Sequence, residues 1–256
     1  MAPAVAAPAA AAVALLAWRA GTLTGSGAVA AAVVGALVLL GTGWAGGAIL
    51  AAFFVSSIVI GRVAPVAPAL DAKGERRDSH QVLANGGPAA LGALLAFRDP
   101  ALGLWVVTGS LAAAAADTWA TSLGGLSRPA PRRLLFGRRV APGTSGGMTL
   151  LGCAGGLGGA LLVAAVGAGT GGGFALLPVG TLIGFAGMVA DSALGAGWQG
   201  RFRCPLCEVA SDWRVHRCGS RTVREGGLRW LDNDAVNLSA TALAAALAVA
   251  ARLLLR

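Results

Sequence analysis

The chain has 256 residues, of which 56% are hydrophobic and only 12% are charged, and its mean hydropathy is +0.72. So few charges cannot cover a soluble protein of this length, which excludes a soluble globular domain. The net charge of +9 lies mainly in alternate connections between apolar runs, as in membrane proteins, so we expect no nucleic-acid partner.

Apolar runs near the ~20-residue length of a membrane span recur along the chain. Gly41 to Gly43 separate the second run from the third, and a glycine turn near Gly171 separates the sixth from the seventh. The sequence predicts an all-α, polytopic transmembrane helical bundle of about seven or eight spans, forming one domain over 1–256. The runs lie at about 4–20, 25–40, 44–60, 81–97, 101 to 117 and beyond, 147–168, 174–198 and 235–255.

The basic residues predict the orientation of these spans. With eight spans both termini lie outside, and loops 62–80, 124–146 and 199–234 lie in the cytoplasm. A seven-span version moves only the N-terminus. The first basic residue is Arg19, so we expect no cleaved signal peptide. The predicted location is a bacterial inner membrane or its equivalent.

Polar residues gather at the predicted cytoplasmic ends of five spans. Ionisable groups are costly in apolar helices and usually face a cavity or the bundle interior. Capping is the alternative, and Asp234 is a candidate N-cap. Asp117 and Asp191 are predicted at helix C-terminal ends, where the dipole disfavours anions, so we interpret them as functional. The polar residues are Asn85, Asp117, Thr144, Ser145, Asp191, Asp232, Asn233, Asp234 and Asn237.

The stretch from Asp117 through a basic loop to a glycine turn is typical of a site for a phosphate chain and its metal. Carboxylates hold Mg²⁺, glycines let backbone N–H groups approach phosphate, and arginines supply forked donors. Close approach of phosphate or of a neighbouring helix would each explain the extra glycines of the turn. The turn comprises Gly143, Thr144, Ser145, Gly146 and Gly147, and the loop contains Arg128, Arg132, Arg133, Arg138 and Arg139.

The predicted loop 199–234 contains the motif Cys204-Pro205-Leu206-Cys207, followed by His216 and Cys218. This spacing can close a structural zinc tetrahedron. A reduced cluster that orders the loop without metal is the alternative. Cytoplasmic cysteines are not expected to form a disulfide framework, and Cys153 lies inside an apolar run.

Five motifs in order resemble those of the phytyl-phosphate kinase family, over about residues 60–255. The resemblance implies phosphorylation of an isoprenyl monophosphate, such as phytyl phosphate, to its diphosphate, as part of lipid metabolism. It also implies kinship with dolichol kinase and phosphatidate cytidylyltransferase-like enzymes, whose nucleotide is CTP. The motifs are Gln81-Val82-Leu83-Ala84-Asn85-Gly86, Ala116-Asp117-Thr118-Trp119-Ala120, Pro142-Gly143-Thr144-Ser145-Gly146-Gly147, Asp191-Ser192-Ala193-Leu194-Gly195-Ala196 with Gln199, and Gly227-Leu228-Arg229-Trp230-Leu231-Asp232-Asn233-Asp234-Ala235-Val236-Asn237.

Site roles follow from the residues and this resemblance together. We assign catalysis to Asp117, Asp191, Asn85 and Asp234, and Mg²⁺ binding to Asp117, Asp191 and Asp232. The nucleotide contacts are assigned to Gly143, Thr144, Ser145, Gly146, Gly147, Lys73, Arg139 and Asn237.

One departure from the family pattern concerns Ser122, which stands where the family usually has a glutamate. If that glutamate assists the metal, Ser122 acts through water or another acid replaces it. Two other functions remain open at this stage. A cytidylyltransferase on a lipid phosphate would use much the same residues. A non-enzymatic carrier would need polar groups near the membrane midplane or paired broken helices, whereas the polar groups here cluster at one face. Oligomeric state is not predicted.

Overall fold

The computed structural model describes residues 2–64, 76–134, 137–211, 214–216 and 218–255. Lys73, a predicted nucleotide contact, lies outside the described residues. Within the described part of the chain, five helices are long and apolar enough to cross a membrane. The predicted all-α membrane bundle is thereby confirmed. The helices are α1 (Pro3–Arg19), α2 (Gly25–Val63), α3 (Ser79–Leu95), α4 (Pro100–Gly125), α5 (Leu150–Gly167), α6 (Leu176–Gly197) and α7 (Asn233–Leu254).

The longest helix, α2, folds back on itself at Gly43, whose φ of 62° and ψ of −150° are not helical. A Cβ placed on Gly35 would lie 3.9 Å from the Leu50 side chain. A straight helix would instead hold these two residues about 22 Å apart. The two halves of α2 are therefore antiparallel, which confirms the break predicted at Gly41 to Gly43.

Helix α4 is the axis of the bundle. All its residues from Gly103 to Ala116 are buried, and it packs against α2, α3, α5, α6 and α7. Helices in a bilayer approach closely through small residues. A Cβ on Gly159 of α5 would lie 2.8 Å from Ala115 O. The glycines of the neighbouring helices thus let their backbones reach the alanine-rich face of α4.

Helix α4 runs two turns beyond Asp117, so the prediction that Asp117 ends its helix was wrong. The polar Thr118 does not interrupt the helix, because its hydroxyl donates to Ala114 O at 2.9 Å. Such back-bonding satisfies a hydroxyl inside a helix. Asp117 therefore lies within a continuous helix, with two further turns between it and Gly125.

The start of the next span was also predicted wrongly. Helix α5 begins at Leu150, and its N-cap is Thr149, whose hydroxyl accepts the Gly152 N–H at 3.0 Å. Neither Thr144 nor Ser145 caps it. Gly146 has a φ of 75°, which no helix accommodates, so the chain makes a separate turn first.

Short strands form two small antiparallel sheets that the sequence did not predict: four of the strands lie in predicted loops, and β2 lies at the start of the predicted sixth run. The first sheet pairs β1 with β2, and the second has the order β4-β3-β5. The second sheet lies between α6 and α7 in the chain, and Cys204, Cys207 and Cys218 lie in its connections. The strands are β1 (Arg132–Arg133), β2 (Gly147–Met148), β3 (Arg201–Arg203), β4 (Ala210–Ser211) and β5 (Val223–Gly226).

Candidate functional site at one end of the bundle

Helices α4 and α6 run parallel and bring Asp117 and Asp191 together. A Cβ on Gly184 would lie 2.7 Å from the Cβ of Ala112, and one on Gly187 would lie 2.5 Å from the Cβ of Ala113. Residues four apart share a helix face. The second contact joins Ala113 to Gly187, and Asp117 and Asp191 follow these residues by four positions each. The two aspartates therefore lie on the facing sides of α4 and α6, at the same height along the helices. The packing of α4 on α6 thus brings the two carboxylates to the same end of neighbouring helices.

One carboxylate oxygen of Asp191 is available to bind a ligand. Its Oδ2 is buried and has no hydrogen-bond partner among the described residues. A buried polar atom without a partner is costly, and native proteins rarely leave one. Two neighbouring carboxylates, one with an unused buried oxygen, form a hard-oxygen donor set that fits Mg²⁺. The residues present are thus compatible with the predicted metal.

Helix α7 runs in the opposite direction to α6 and packs against it near the level of the two aspartates. The Cβ position of Gly187 also lies 3.4 Å from the Cβ of Ala244 and 3.5 Å from Ala240 O. Asn237 precedes Ala240 by three residues and Ala244 by seven, so it shares their helix face. The structure therefore brings Asn237 to the side on which Asp191 lies, as the sequence predicted.

Asn85 lies in α3, at the same end of the bundle. Thr241 of α7 donates its hydroxyl to Ala84 O at 2.7 Å, in a buried contact. Asn85 follows directly and donates its Nδ2 to Gln81 O at 2.8 Å. The amide is half-buried and held by its own helix, which fixes its direction.

The two acids at the start of α7 differ in role. Asp232 is the N-cap, and its Oδ1 accepts the Ala235 N–H at 3.0 Å. Asp234, which the sequence suggested as the cap, lies inside the first turn and is half-buried. Capping therefore occupies one oxygen of Asp232, the residue that the sequence assigned to the metal.

The glycine turn packs against the last turns of α6. A Cβ on Gly146 would lie 2.5 Å from Ser192 O and 2.5 Å from Ala196 N. The turn is closed by the Gly147 N–H, which donates to Thr144 O at 2.9 Å. Close packing therefore explains the glycine at position 146. The same contact brings residues 143–147 next to the turn of α6 that follows Asp191.

Arg133 lies closer to the glycine turn than Arg139, the arginine that the sequence assigned to a nucleotide contact. Strand β1 pairs Arg133 with Gly147, and the Arg133 Nε is buried without a partner among the described residues. Arg139 is exposed, and its backbone bridges Arg132. Sequence alone cannot rank the arginines of one loop, because their burial depends on the strand pairing.

Gln199 is a further residue that the sequence-based assignment left out. It is 1% exposed, and its Nε2 has no partner among the residues that the structure describes. A Cβ on Gly195 would lie 3.3 Å from Gln199 Oε1 and 3.1 Å from Gly146 N. Gln199 therefore lies beside the glycine turn. In the sequence it accompanies the motif that begins at Asp191, but it was given no role there. Ser122, in the family's glutamate position, is buried in α4.

The cysteine loop forms a second cluster. The ligand atoms of Cys204, Cys207, His216 and Cys218 all lie within 4.8 Å of one another. Burial raises the pKa of the Cys204 thiol, but backbone hydrogen bonds from Cys207 and Leu206 and contacts with the other thiols bring it below its usual value. These four residues are the ones that the sequence grouped.

The bundle and its site define an integral membrane protein with a polar, acidic site at one end of its helices. The chain belongs to the DUF92 family of integral membrane proteins, which it matches over residues 8–245. It is 31% identical over 175 residues to an uncharacterized membrane protein of Methanocaldococcus jannaschii, covering 68% of this chain and 74% of that protein. No solved structure shows a significant match. The kinase activity implied by the sequence motifs stays a prediction.

Proposed function

We propose that this protein is a membrane lipid kinase that phosphorylates an isoprenyl monophosphate to its diphosphate. The donor is a nucleoside triphosphate, with CTP implied by the resemblance of the motifs. The observation that carries the proposal is the convergence of Asp117 and Asp191, with a buried, unpartnered oxygen, beside the turn at Gly146. A membrane protein that only packs its helices has no need of such a pair.

Asp117 and Asp191 would hold Mg²⁺, and the second oxygen of Asp232 lies on the neighbouring helix start. When bound, Mg²⁺ supplies neutralisation of the phosphate charges. The residues of the chain hold the two aspartates at one level through the glycine contacts of α6. Asn85 and Asn237 offer amide groups that can orient phosphate oxygens.

In the proposed reaction, an oxygen of the lipid phosphate attacks the γ-phosphorus of the nucleotide. The bond from the γ-phosphorus to the β–γ bridging oxygen breaks, and the nucleoside diphosphate leaves. The acceptor is already ionised, so positioning and charge neutralisation dominate and no strong general base is required. Arg133 supplies a cation beside the turn, and Gln199 supplies a buried amide.

The prenyl chain of the substrate would lie against the apolar flanks of α3 and α7. Leu83 and Leu238 are each 47% exposed and lie within two residues of Asn85 and Asn237. Leu83 and Leu238 thus present exposed apolar surface at the level of the two amides, on other faces of α3 and α7. This arrangement suits a substrate whose phosphate enters the site while its tail stays in the bilayer.

The test is a turnover assay on the purified protein with prenyl monophosphates of several chain lengths, each nucleoside triphosphate, and Mg²⁺. A kinase transfers a γ-phosphate label to the lipid and leaves an α-phosphate label on the released diphosphate. A cytidylyltransferase does the reverse, moving the α-label to lipid and releasing pyrophosphate. Transfer of neither label, for any chain length or nucleotide, would contradict an enzymatic role and favour a carrier.

A further inference from the structure

The cysteine cluster has the geometry of a closed metal site. The Sγ atoms of Cys204 and Cys218 are 3.6 Å apart, and Nδ1 of His216 lies 3.1 Å from Cys218 Sγ. In a zinc tetrahedron with Zn–S bonds of about 2.3 Å, neighbouring sulfur atoms are about 3.8 Å apart. A disulfide requires about 2.05 Å, so the pair is not bonded. All three thiols are free.

Two tight turns build this geometry. At the first, the Glu208 N–H donates to Cys204 O and the Cys204 N–H donates to Val209 O, both at 2.9 Å. The backbone N–H groups of Leu206 and Cys207 point at the Cys204 sulfur. The first pair of cysteines is therefore arranged as ligands.

The second turn explains the unusually short spacing between His216 and Cys218. The His216 N–H donates to Ser220 O at 2.9 Å, and the Gly219 N–H donates to His216 O at 2.8 Å. Gly219 has a φ of 85°, which lets the chain reverse at once. Residues two apart thus face the same point from one narrow hairpin.

We propose that Cys204, Cys207, His216 and Cys218 bind one structural Zn²⁺ ion. Three soft sulfur ligands and one imidazole are the set that zinc prefers among the biological divalent cations. Four protein ligands fill the tetrahedron and leave no position for substrate, so the ion is structural rather than catalytic. This inference goes beyond the proposed kinase function and does not rest on it.

The sheet that carries these ligands needs such a crosslink. Its strands are short, and Phe202 is the one large apolar side chain of its described strands that is buried. Val223 of β5 is 61% exposed, as are Leu206 (76%) and Val215 (56%) in the connections. A sheet this small, with so little apolar surface buried, is marginal in water. Metal binding supplies folding free energy where the apolar core is too small.

The zinc site also fixes the connection between α6 and α7. The Gly200 N–H donates to Leu231 O at 2.9 Å, and the Leu228 N–H donates to Trp198 O at 2.8 Å. These bonds tie the base of the sheet to the end of α6 and to the residue before Asp232. An ordered sheet therefore holds the start of α7 at its place beside Asp191.

The test uses the full-length protein, purified in detergent after expression with added zinc. Elemental analysis should find about one zinc per chain. Exposed Cys207→Ser and buried Cys204→Ser should each lower zinc content about tenfold or more. Cys153→Ala, in the transmembrane helix α5, is the matched control and should retain zinc. Cobalt-exchanged protein should show the thiolate charge-transfer and visible bands of a tetrahedral site.

Metal content and limited proteolysis both test the site without an activity assay. Chelation of the wild type should speed limited proteolysis within 199–234 and leave the bundle intact. Wild-type protein without zinc and without a cobalt–thiolate spectrum would overturn the proposal, as would unchanged zinc in Cys207→Ser. If zinc is present and no phosphoryl transfer occurs, the metal site stands while the kinase proposal fails.

Discussion

Single residues decide the chemistry at the acidic end of the bundle. Asp117 and Asp191 interrupt apolar runs, so the sequence was sufficient to single them out. Their convergence depends on the parallel packing of α4 and α6, which glycines 184 and 187 permit. A carboxylate in an apolar helix is tolerated where it has a partner to bind. The unpartnered oxygen of Asp191 is the clearest sign of such a partner.

Asp117→Asn and Asp191→Asn should each reduce kcat/KM for phosphoryl transfer about tenfold or more, a loss of at least about 1.4 kcal/mol. The amide keeps the size of the side chain but lacks the negative charge that holds Mg²⁺. Initial rates at several Mg²⁺ concentrations measure the effect.

Asp99→Asn is the matched control for these variants, because Asp99 caps the opposite end of α4. Its side chain accepts the Leu102 N–H at 2.9 Å, a role that asparagine fills equally well. It should leave turnover unchanged. Full activity in both Asp117→Asn and Asp191→Asn would remove the pair from the metal site.

Gly146→Ala should destabilise the protein by about 2 kcal/mol or more, because a positive φ costs roughly 1–2 kcal/mol and overpacking roughly 1–3 kcal/mol. Its Cβ would meet the backbone of Ser192 and Ala196. Thermal unfolding in detergent measures the loss. Gly197→Ala is the control, since a Cβ there meets nothing within 4 Å. Equal stability of the two variants, with a raised nucleotide KM only for Gly146→Ala, would favour phosphate approach over packing.

At the scale of helices and strands, the sequence predicted what hydropathy and glycine turns can encode. The reversal at Gly43 follows from the glycines at positions 41 and 43. The strands β1 to β5 could not be predicted from the sequence, because segments of two to four residues carry no periodic pattern. The start of α5 was misplaced for a related reason. Two adjacent hydroxyls predict a cap, but the strand pairing of Gly147 moves the cap to Thr149.

Gly187→Leu should separate α4 from α6 and lower both stability and turnover, with an overpacking cost of about 1–3 kcal/mol. The new side chain would meet Ala113 of α4 and Ala244 of α7. Gly61→Leu, on α2, is the matched control because a Cβ there has open space. Unfolding temperature and initial rate are measured on both. A stable but inactive Gly187→Leu protein would show that alignment of the aspartates, and not bundle stability, depends on this contact.

At the scale of the whole molecule, charge and site lie at the same end. The connections after α2 and α4 and before α7 carry most of the basic residues, whereas Arg98 and Arg252 mark the opposite end. Basic loops stay in the cytoplasm during membrane insertion. Nucleoside triphosphates are found on that side, so the orientation predicted from the basic loops and the proposed substrate agree. The orientation was inferred from the basic loops, and the proposed substrate from the acidic residues, so the two inferences rest on different features.

This agreement makes orientation a test of function. Arg98→Cys and Arg128→Cys place a thiol at opposite ends of α4, on exposed residues. With a membrane-impermeant maleimide on intact cells, Arg98→Cys should be labelled, and Arg128→Cys should be labelled only after permeabilisation. Mass spectrometry of the labelled peptides distinguishes the new thiols from the native cysteines. Labelling of Arg128→Cys in intact cells would put the acidic site on the side without nucleotide, and a cytoplasmic lipid kinase would then be ruled out.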